Sequence, residues 1–445
     1  MRNKSLGLVG VCAAWLCAPT VLAAGESSLA RLRFLQSLQA GVHDTNGALV
    51  AGTEVMSLVP HQGRLYAGTS LWKESDPAVP KACQVLALDS PKGPWRVDHT
   101  FTRNNLRLSS LKSVTFLADA QGRACAPVSV LLAAPDVMRG SVSVYSRNDA
   151  TGEWVASALG TVTNYTTVRA LGFFRNRVFA GTDTLGVIGG LYDPDAPGHI
   201  RWDTAPEFQT PAGERVMGFC VCDGVFYCAT SRHIFRRADK GSPLWAEVYA
   251  CLQEKSPCGI RGLSAVPKPG GEGSVLLFAA LSKVRRLDPA CGYKETVELD
   301  LPEFLTRQLG AKVTFALSAY NDFVPCAESE TGETVWLFGF ESAYAARAAN
   351  ALKAQKARLF FGKNARLAFA AEGRYCVRRV KGAEVRYEMG MVSHPDQPAL
   401  VAVRAIAVSP FPEDRARAFY FGGFDCNDVP SHDTAWIYRG ERCLP

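Results

Sequence analysis

The stretch Glu54-Val-Met-Ser-Leu-Val-Pro-His-Gln-Gly-Arg-Leu-Tyr-Ala-Gly-Thr69 aligns without a gap on Arg215-Val-Met-Gly-Phe-Cys-Val-Cys-Asp-Gly-Val-Phe-Tyr-Cys-Ala-Thr230. Both copies read as an apolar run, a tight turn at Gln62-Gly63 or Asp223-Gly224, and a second apolar run, which is a β-hairpin signature. A slightly shortened copy runs from Arg169-Ala-Leu-Gly-Phe to Val178-Phe-Ala-Gly-Thr182, and looser ones begin at Ser113, Arg261, Thr314 and Arg404. Each is followed by an apolar pair such as Val85-Leu86, Val144-Tyr145, Leu191-Tyr192 or Ile234-Phe235. An aromatic residue and a further strand come next, at Trp95, Trp154, Trp202 and Trp245. Two hairpins per copy make a four-stranded unit. The spacing of most copies is near the roughly 40 to 50 residues of a propeller blade, with loops taking up the excess.

The reading is therefore an all-β chain, a seven-bladed β-propeller of four-stranded antiparallel blades, with six or eight blades as alternatives. The last copy holds three clear strands, ending at Ala435-Trp-Ile-Tyr438, so closure calls for a strand from the other end of the chain. The segment between Gln39 and Ala51 is available for it. The long interval between Thr314 and Arg404 contains the alanine-rich run Glu341 to Arg358, whose composition favours helix. It is expected as a helical insertion between the second and third strands of the sixth blade. Its cations Arg347, Lys353, Lys356, Arg358, Lys363 and Arg366 stand without an acidic residue between Ser342 and Ala371, as on a solvated surface helix or a contact for an acidic partner.

Compartment is read from the first residues. Arg2 and Lys4, the apolar stretch from Leu6 to Leu16, and Val21-Leu22-Ala23 have the pattern of a secretory signal cleaved after Ala23. Residues 24–445 then form one propeller domain, closed by pairing of its N- and C-terminal strands and expected as a monomer, secreted or periplasmic. Of 14 cysteines, Cys12 and Cys17 leave with the signal, and the even remainder favours disulfides. Cys251 with Cys258, Cys326 with Cys376, and Cys426 with Cys443 are the expected pairs. Cys220 and Cys222 share one strand face, whereas Cys228, in register opposite Phe219, faces the other way. The formal net charge of +7 is too mild and scattered for a nucleic-acid partner. Phosphate-loop, haem-attachment, zinc-helix and nucleophile-elbow motifs are all missing.

Loops that follow the second strand of each blade gather with the strand starts on one propeller face, where a fixed scaffold holds variable residues. Asp183, Glu341 and Asp425 stand at that position in three copies. Arg169, Arg215, Arg261 and Arg404 stand at the start of the innermost strands. Turn geometry places Arg169 near Asp183. Together with Asn427 and His432 these residues form a candidate ligand-binding funnel. Guanidiniums would hold an anion. The three carboxylates Asp183, Glu341 and Asp425 are candidate ligands for calcium. His432 beside Asp433 is a candidate general base with an orienting carboxylate, and the triplet recurs as His43-Asp44-Thr45. Two functions follow: a binding module for a small molecule, glycan or protein, or a calcium-dependent propeller hydrolase of lactonase or esterase type. The sequence leaves open whether the chain is an enzyme.

The runs Arg404 to Asp414, Tyr420 to Asp425 and His432 to Arg439 resemble the closing blade of a group of secreted bacterial propeller-type proteins with no assigned activity. Leu287-Asp-Pro, Val297-Glu-Leu-Asp300 and Ala319-Tyr-Asn-Asp-Phe323 carry the same likeness, which extends over roughly the last 190 residues. The resemblance implies a propeller and transfers no catalytic residue.

Overall fold

The computed structural model describes residues 28–71, 79, 81–240, 242–251, 259–280, 282–310, 312–318, 323–328, 333–345, 367–369, 373–392, 402–414, 417–424 and 433–442. Seven antiparallel four-stranded blades follow one another along the chain. Blade one comprises Glu54–His61, Arg64–Ser70, Gln84–Leu88 and Arg96–Thr100. Blade two is Leu108–Ala118, Ala124–Pro135, Gly140–Arg147 and Trp154–Val162. Blade three is Val168–Phe174, Arg177–Thr182, Val187–Tyr192 and Ile200–Trp202. Blade four is Val216–Cys222, Val225–Thr230, His233–Lys240 and Ser242–Ala250. Blade five is Ile260–Pro267, Ser274–Ala280, Lys283–Asp288 and Lys294–Asp300. Blade six has a divided first strand, Val313–Ser318 and Val324–Ala327, followed by Thr334–Ala345, Gly373–Lys381 and Glu384–Val392. In blade seven, Ala402–Val408, Ala418–Phe424 and Ala435–Arg442 are completed by Leu32–Gln39 from the other end of the chain.

Closure thus uses a strand one segment upstream of the stretch from Gln39 to Ala51. That stretch instead forms a small hairpin, Val42–His43 with Leu49–Val50. Trp95 of blade one donates its indole N–H to Ser37 of the closing strand, 2.9 Å away, which ties the seam. The described residues hold one α-helix, Leu301–Leu309, leading into blade six; Asp300 caps its N-terminus and Gly310 ends it in the left-handed conformation. Residues 341–345 of the alanine-rich run continue the second strand of blade six, and residues 346–366 lie outside the described residues.

The repeated Gly-Thr at the end of the second strand has two separate causes. A Cβ on Gly181 would stand 2.7 Å from Val216 Cβ in the next blade, and one on Gly68 would stand 2.8 Å from Leu108. The glycine is therefore the point of closest approach between blades. The threonine secures the turn that follows. Thr182 Oγ accepts from Leu185 N at 2.7 Å, and Thr230 Oγ accepts from His233 N at 3.0 Å.

Apolar clusters fill the joints between blades, and a polar clamp recurs beside them at every second joint. Asp98 of blade one accepts from Arg147 Nε at 2.8 Å and from the Trp154 indole at 2.9 Å in blade two. Glu207, after blade three, accepts from Arg237 Nε at 2.7 Å and Trp245 at 3.0 Å in blade four. Glu298 of blade five accepts from Arg378 Nε at 2.7 Å and the Tyr387 hydroxyl at 2.8 Å in blade six. The repeated aromatic residue of the fourth strand thus serves as both packing and hydrogen-bond donor at three alternate joints. Burial pushes the Glu298 carboxyl up, but the hydrogen bonds and charge of Arg378 outweigh it and hold the group below the usual range.

The expected Cys326 to Cys376 disulfide is not formed; both residues are buried free thiols. Cys326 pairs with Val335 and Cys376 with Phe338 on the shared middle strand. An offset of three residues puts them on opposite faces, in two different core clusters. No disulfide joins two described cysteines. Cys258, Cys426 and Cys443 lie outside the described residues, as does the N-terminal segment through residue 27. Cys228 pairs with Phe219 and packs in a different cluster from Cys220 and Cys222, as the strand parity requires.

Candidate functional site

The innermost strands of all seven blades line a cavity of about 370 Å³ along the propeller axis. Its wall includes Ser57 and Pro60 of blade one, Ser109 to Ser113 of blade two, Arg169 of blade three, Met217 of blade four, Gly262 of blade five, Val324 of blade six and Ile406 of blade seven. Each innermost strand is a sheet edge, so part of its backbone N–H and C=O groups face the axis.

Arg169 stands on the cavity wall with other arginines around it, and a β-bulge puts it there. Arg169 is the extra residue between the pairs Val168 with Thr182 and Ala170 with Gly181, and Arg404 is its equivalent between Val403 with Gly423 and Ala405 with Gly422. Arg261 immediately precedes the corresponding irregularity in blade five. A bulge re-aims the side chain it carries. Arg215 does not share this position. It lies one residue ahead of the paired Val216, in register with Glu54 ahead of Val55 and Arg107 ahead of Leu108. Two tiers result: Glu54, Arg107 and Arg215 in the outer one, and Arg169 and Arg404 in the bulges, with Arg261 paired just ahead of the irregularity in its own blade.

Glu54 is the acidic member of the outer tier and is almost fully buried. It bridges its neighbours on both sides, 3.3 Å from Arg107 and 3.5 Å from Arg404. Arg404 also lies over the Phe424 ring, 4.7 Å from the centroid. Arg107 is held by its backbone: Asp136 Oδ1 accepts from the N–H groups of Leu106 and Arg107 at 2.7 and 2.8 Å.

Arg169 has the most strained electrostatics. Burial lowers its proton affinity, the charges of Arg261, Arg107 and Arg215 lower it further, and Asp183 only partly compensates, bringing the group down to about 9. Its Nε is buried without a hydrogen-bond partner. Burial raises the Asp183 carboxyl above its ordinary value despite the opposing charge of Arg169. Nearby, burial and the Asp136 charge push the Tyr165 hydroxyl up to about 12.

The structure therefore brings Arg169, Arg215, Arg261 and Asp183 together, with Arg404 joined through Glu54 and Arg107. Asp425, Asn427 and His432 lie outside the described residues, and Glu341 is described only as a strand residue. Asp433 is described. Its backbone carbonyl accepts from Gln39, and its carboxyl packs against Gly41, which places it beside the chain closure and near the second triplet. In that triplet Asp44 is spent on turn geometry, accepting from Asn46, Ala48 and Val97 backbone N–H groups. Among the described residues no group of three His, Cys, Asp or Glu side chains could hold a metal ion. A dication beside Asp183 would also face the field of Arg169, Arg215 and Arg107, which opposes cation binding.

Sequence reasoning missed Glu54, Arg107, Asp136 and Tyr165. For Glu54 the signal was present: the gapless alignment sets it against Arg215, a charge reversal at one blade.

No protein-family model matches the chain, and no curated protein matches it. Among solved structures it is similar to a chain of one described as "Crystal Structure of Mitotic Checkpoint Complex", over 97% of this chain and 98% of that chain, at 12% identity and a TM-score of 0.46. No described helix is long and apolar enough to cross a membrane.

Proposed function

We propose that the chain is a binding module whose axial cavity takes a small anionic ligand, with Arg169 as the central contact and Arg107, Arg215 and Arg261 supplying the field. The observation that carries this reading is the Arg169 guanidinium on the cavity wall, desolvated, repelled by three other arginines and with its buried Nε lacking a hydrogen bond. A carboxylate or phosphate would accept from that N–H and relieve the repulsion in one step. Preformed scaffolds that concentrate charge in a desolvated cleft are characteristic of ligand sites.

Thermal unfolding in a series of chloride, sulfate, phosphate and dicarboxylate salts at equal ionic strength tests it. Polyvalent anions should raise the melting temperature in a saturable way, and Arg169→Gln should remove the response. Equal melting temperatures across the series would refute it. The N-terminal segment supports an exported protein, and cell fractionation with an antibody against residues of blade one tests that; a cytoplasmic pool of unprocessed chain would refute export.

A further inference from the structure

Further along the same cavity lies a hydrogen-bonded chain of serine, histidine and carboxylate. His61, at the end of the innermost strand of blade one, has Nδ1 2.8 Å from Ser113 Oγ in blade two and Nε2 2.8 Å from Asp149 Oδ2. The histidine side chain is almost fully buried, with a relative exposure of 1%. A carboxylate only accepts, so Nε2 carries the proton and Nδ1 accepts from the Ser113 hydroxyl. Asp149 is fixed in turn by Arg147 Nη1 at 2.8 Å, and Arg147 by the Asp98 clamp. Ser113 forms part of the cavity wall.

We infer that Ser113, His61 and Asp149 form an acyl-transfer site for short esters that bear an anionic group, the latter part resting on the proposed role of Arg169. Register gives the span. Ser109 occupies in blade two the bulge position that Arg169 occupies in blade three, and Ser113 lies four residues further along the strand. At about 3.3 Å per residue the two ends are roughly 13 Å apart along the strand direction.

In the first step the Ser113 Oγ–H proton passes to His61 Nδ1 as Oγ bonds to the ester carbonyl carbon, and the carbonyl electron pair moves to its oxygen. N–H groups on the strand edges facing the axis are donors for that oxyanion. Collapse breaks the bond to the leaving alcohol, which takes the proton from Nδ1. Water then adds to the acyl-serine by the same path and releases the acid. Asp149 accepts from His61 Nε2 throughout and holds the ring.

The test uses the whole chain with a fluorophosphonate probe, which the serine oxygen attacks with loss of fluoride, read by intact mass and peptide mapping. A single adduct on Ser113 is expected, absent from Ser113→Ala at an unchanged melting temperature. No adduct on the folded protein, or one that persists in Ser113→Ala, would overturn the inference. Hydrolysis of 4-nitrophenyl acetate and of the 4-nitrophenyl monoester of succinic acid separates the two readings. Preference for the succinate ester that disappears in Arg169→Gln supports both. Equal turnover of the two esters supports the Ser113 site while refuting the anion reading. Absence of turnover with both, together with absence of the adduct, refutes the Ser113 site and leaves the anion reading to its own salt series.

Discussion

Replacing Arg169 by methionine should stabilise the folded protein, because the native side chain is held charged against its surroundings. Its proton affinity is brought down to about 9 from an arginine's usual value above 12. At about 1.4 kcal/mol for each power of ten, desolvation and repulsion from Arg261, Arg107 and Arg215 set a ceiling of roughly 5 kcal/mol. Arg169 is partly exposed on the cavity wall, so water and mobile ions screen the field, and the expected gain for Arg169→Met is about 1–3 kcal/mol. Methionine keeps much of the side-chain volume, so little of the change comes from packing.

The assay is urea unfolding at low ionic strength, since urea leaves the electrostatics unscreened. Raising salt shrinks the screening length from about 10 Å at 0.1 M to about 3 Å at 1 M, so the advantage of the variant should fall as salt is added. The sign with pH is also fixed. A base whose proton affinity is depressed in the folded state destabilises fully below about pH 9, and the penalty is withdrawn as pH rises above that value. The gap between variant and wild type should therefore narrow in alkali. An Arg169→Met protein less stable than wild type by more than about 1 kcal/mol would mean that native partners hold the guanidinium favourably, and the reasoning would fail.

Other expectations concern the scaffold. Arg378→Met leaves the Glu298 carboxylate buried beside Tyr387 without its main partner and should cost about 3–5 kcal/mol in urea unfolding; a loss below about 1 kcal/mol would show that the clamp is not holding the joint. Because Glu298 sits below its ordinary value, its contribution is present above the unfolded carboxyl's titration near pH 4 and is lost as pH falls through the lower folded value. The stability gap between wild type and Glu298→Gln should thus close in acid. Gly181→Ala sets a Cβ against Val216 of the next blade and should destabilise by about 1–3 kcal/mol, read by thermal unfolding. Non-reducing peptide mapping of the unfolded protein should find Cys326 and Cys376 separately alkylated; a linked peptide would contradict the register of blade six.

Much of the architecture was legible because it rests on local chemistry that recurs from blade to blade. The apolar hairpin, the Gly-Thr at the second strand's end and the fourth-strand aromatic each have a cause within one blade or at one joint. What failed was information carried by register. Arg169 and Arg215 look equivalent in a string of residues, but both blades carry the β-bulge and strand pairing sets Arg169 in register with Met217, two residues past Arg215, so they fall in different tiers. Cys326 and Cys376 look like partners within a blade until the parity along the middle strand separates them. His61 and Ser113 both lie in recognised copies of the repeat, yet their contact crosses from blade one to blade two and has no counterpart in spacing. The same is true of Glu54, whose two arginine partners come from the neighbouring blades on either side. The closing strand was placed one segment late because Leu32–Gln39 has a weaker apolar pattern than the strands it joins, with several of its residues exposed; strand Ala435–Arg442 supplies the pairing that defines it.

The axial anion site is tested most directly by crystallising the protein with selenate and computing an anomalous difference map at the selenium edge. An ordered selenium peak in the axial cavity within hydrogen-bonding reach of the Arg169 guanidinium, lost in Arg169→Gln, is the predicted result. A cavity with no selenium peak, with Arg169 fully engaged by the protein's own carboxylates, would contradict the account.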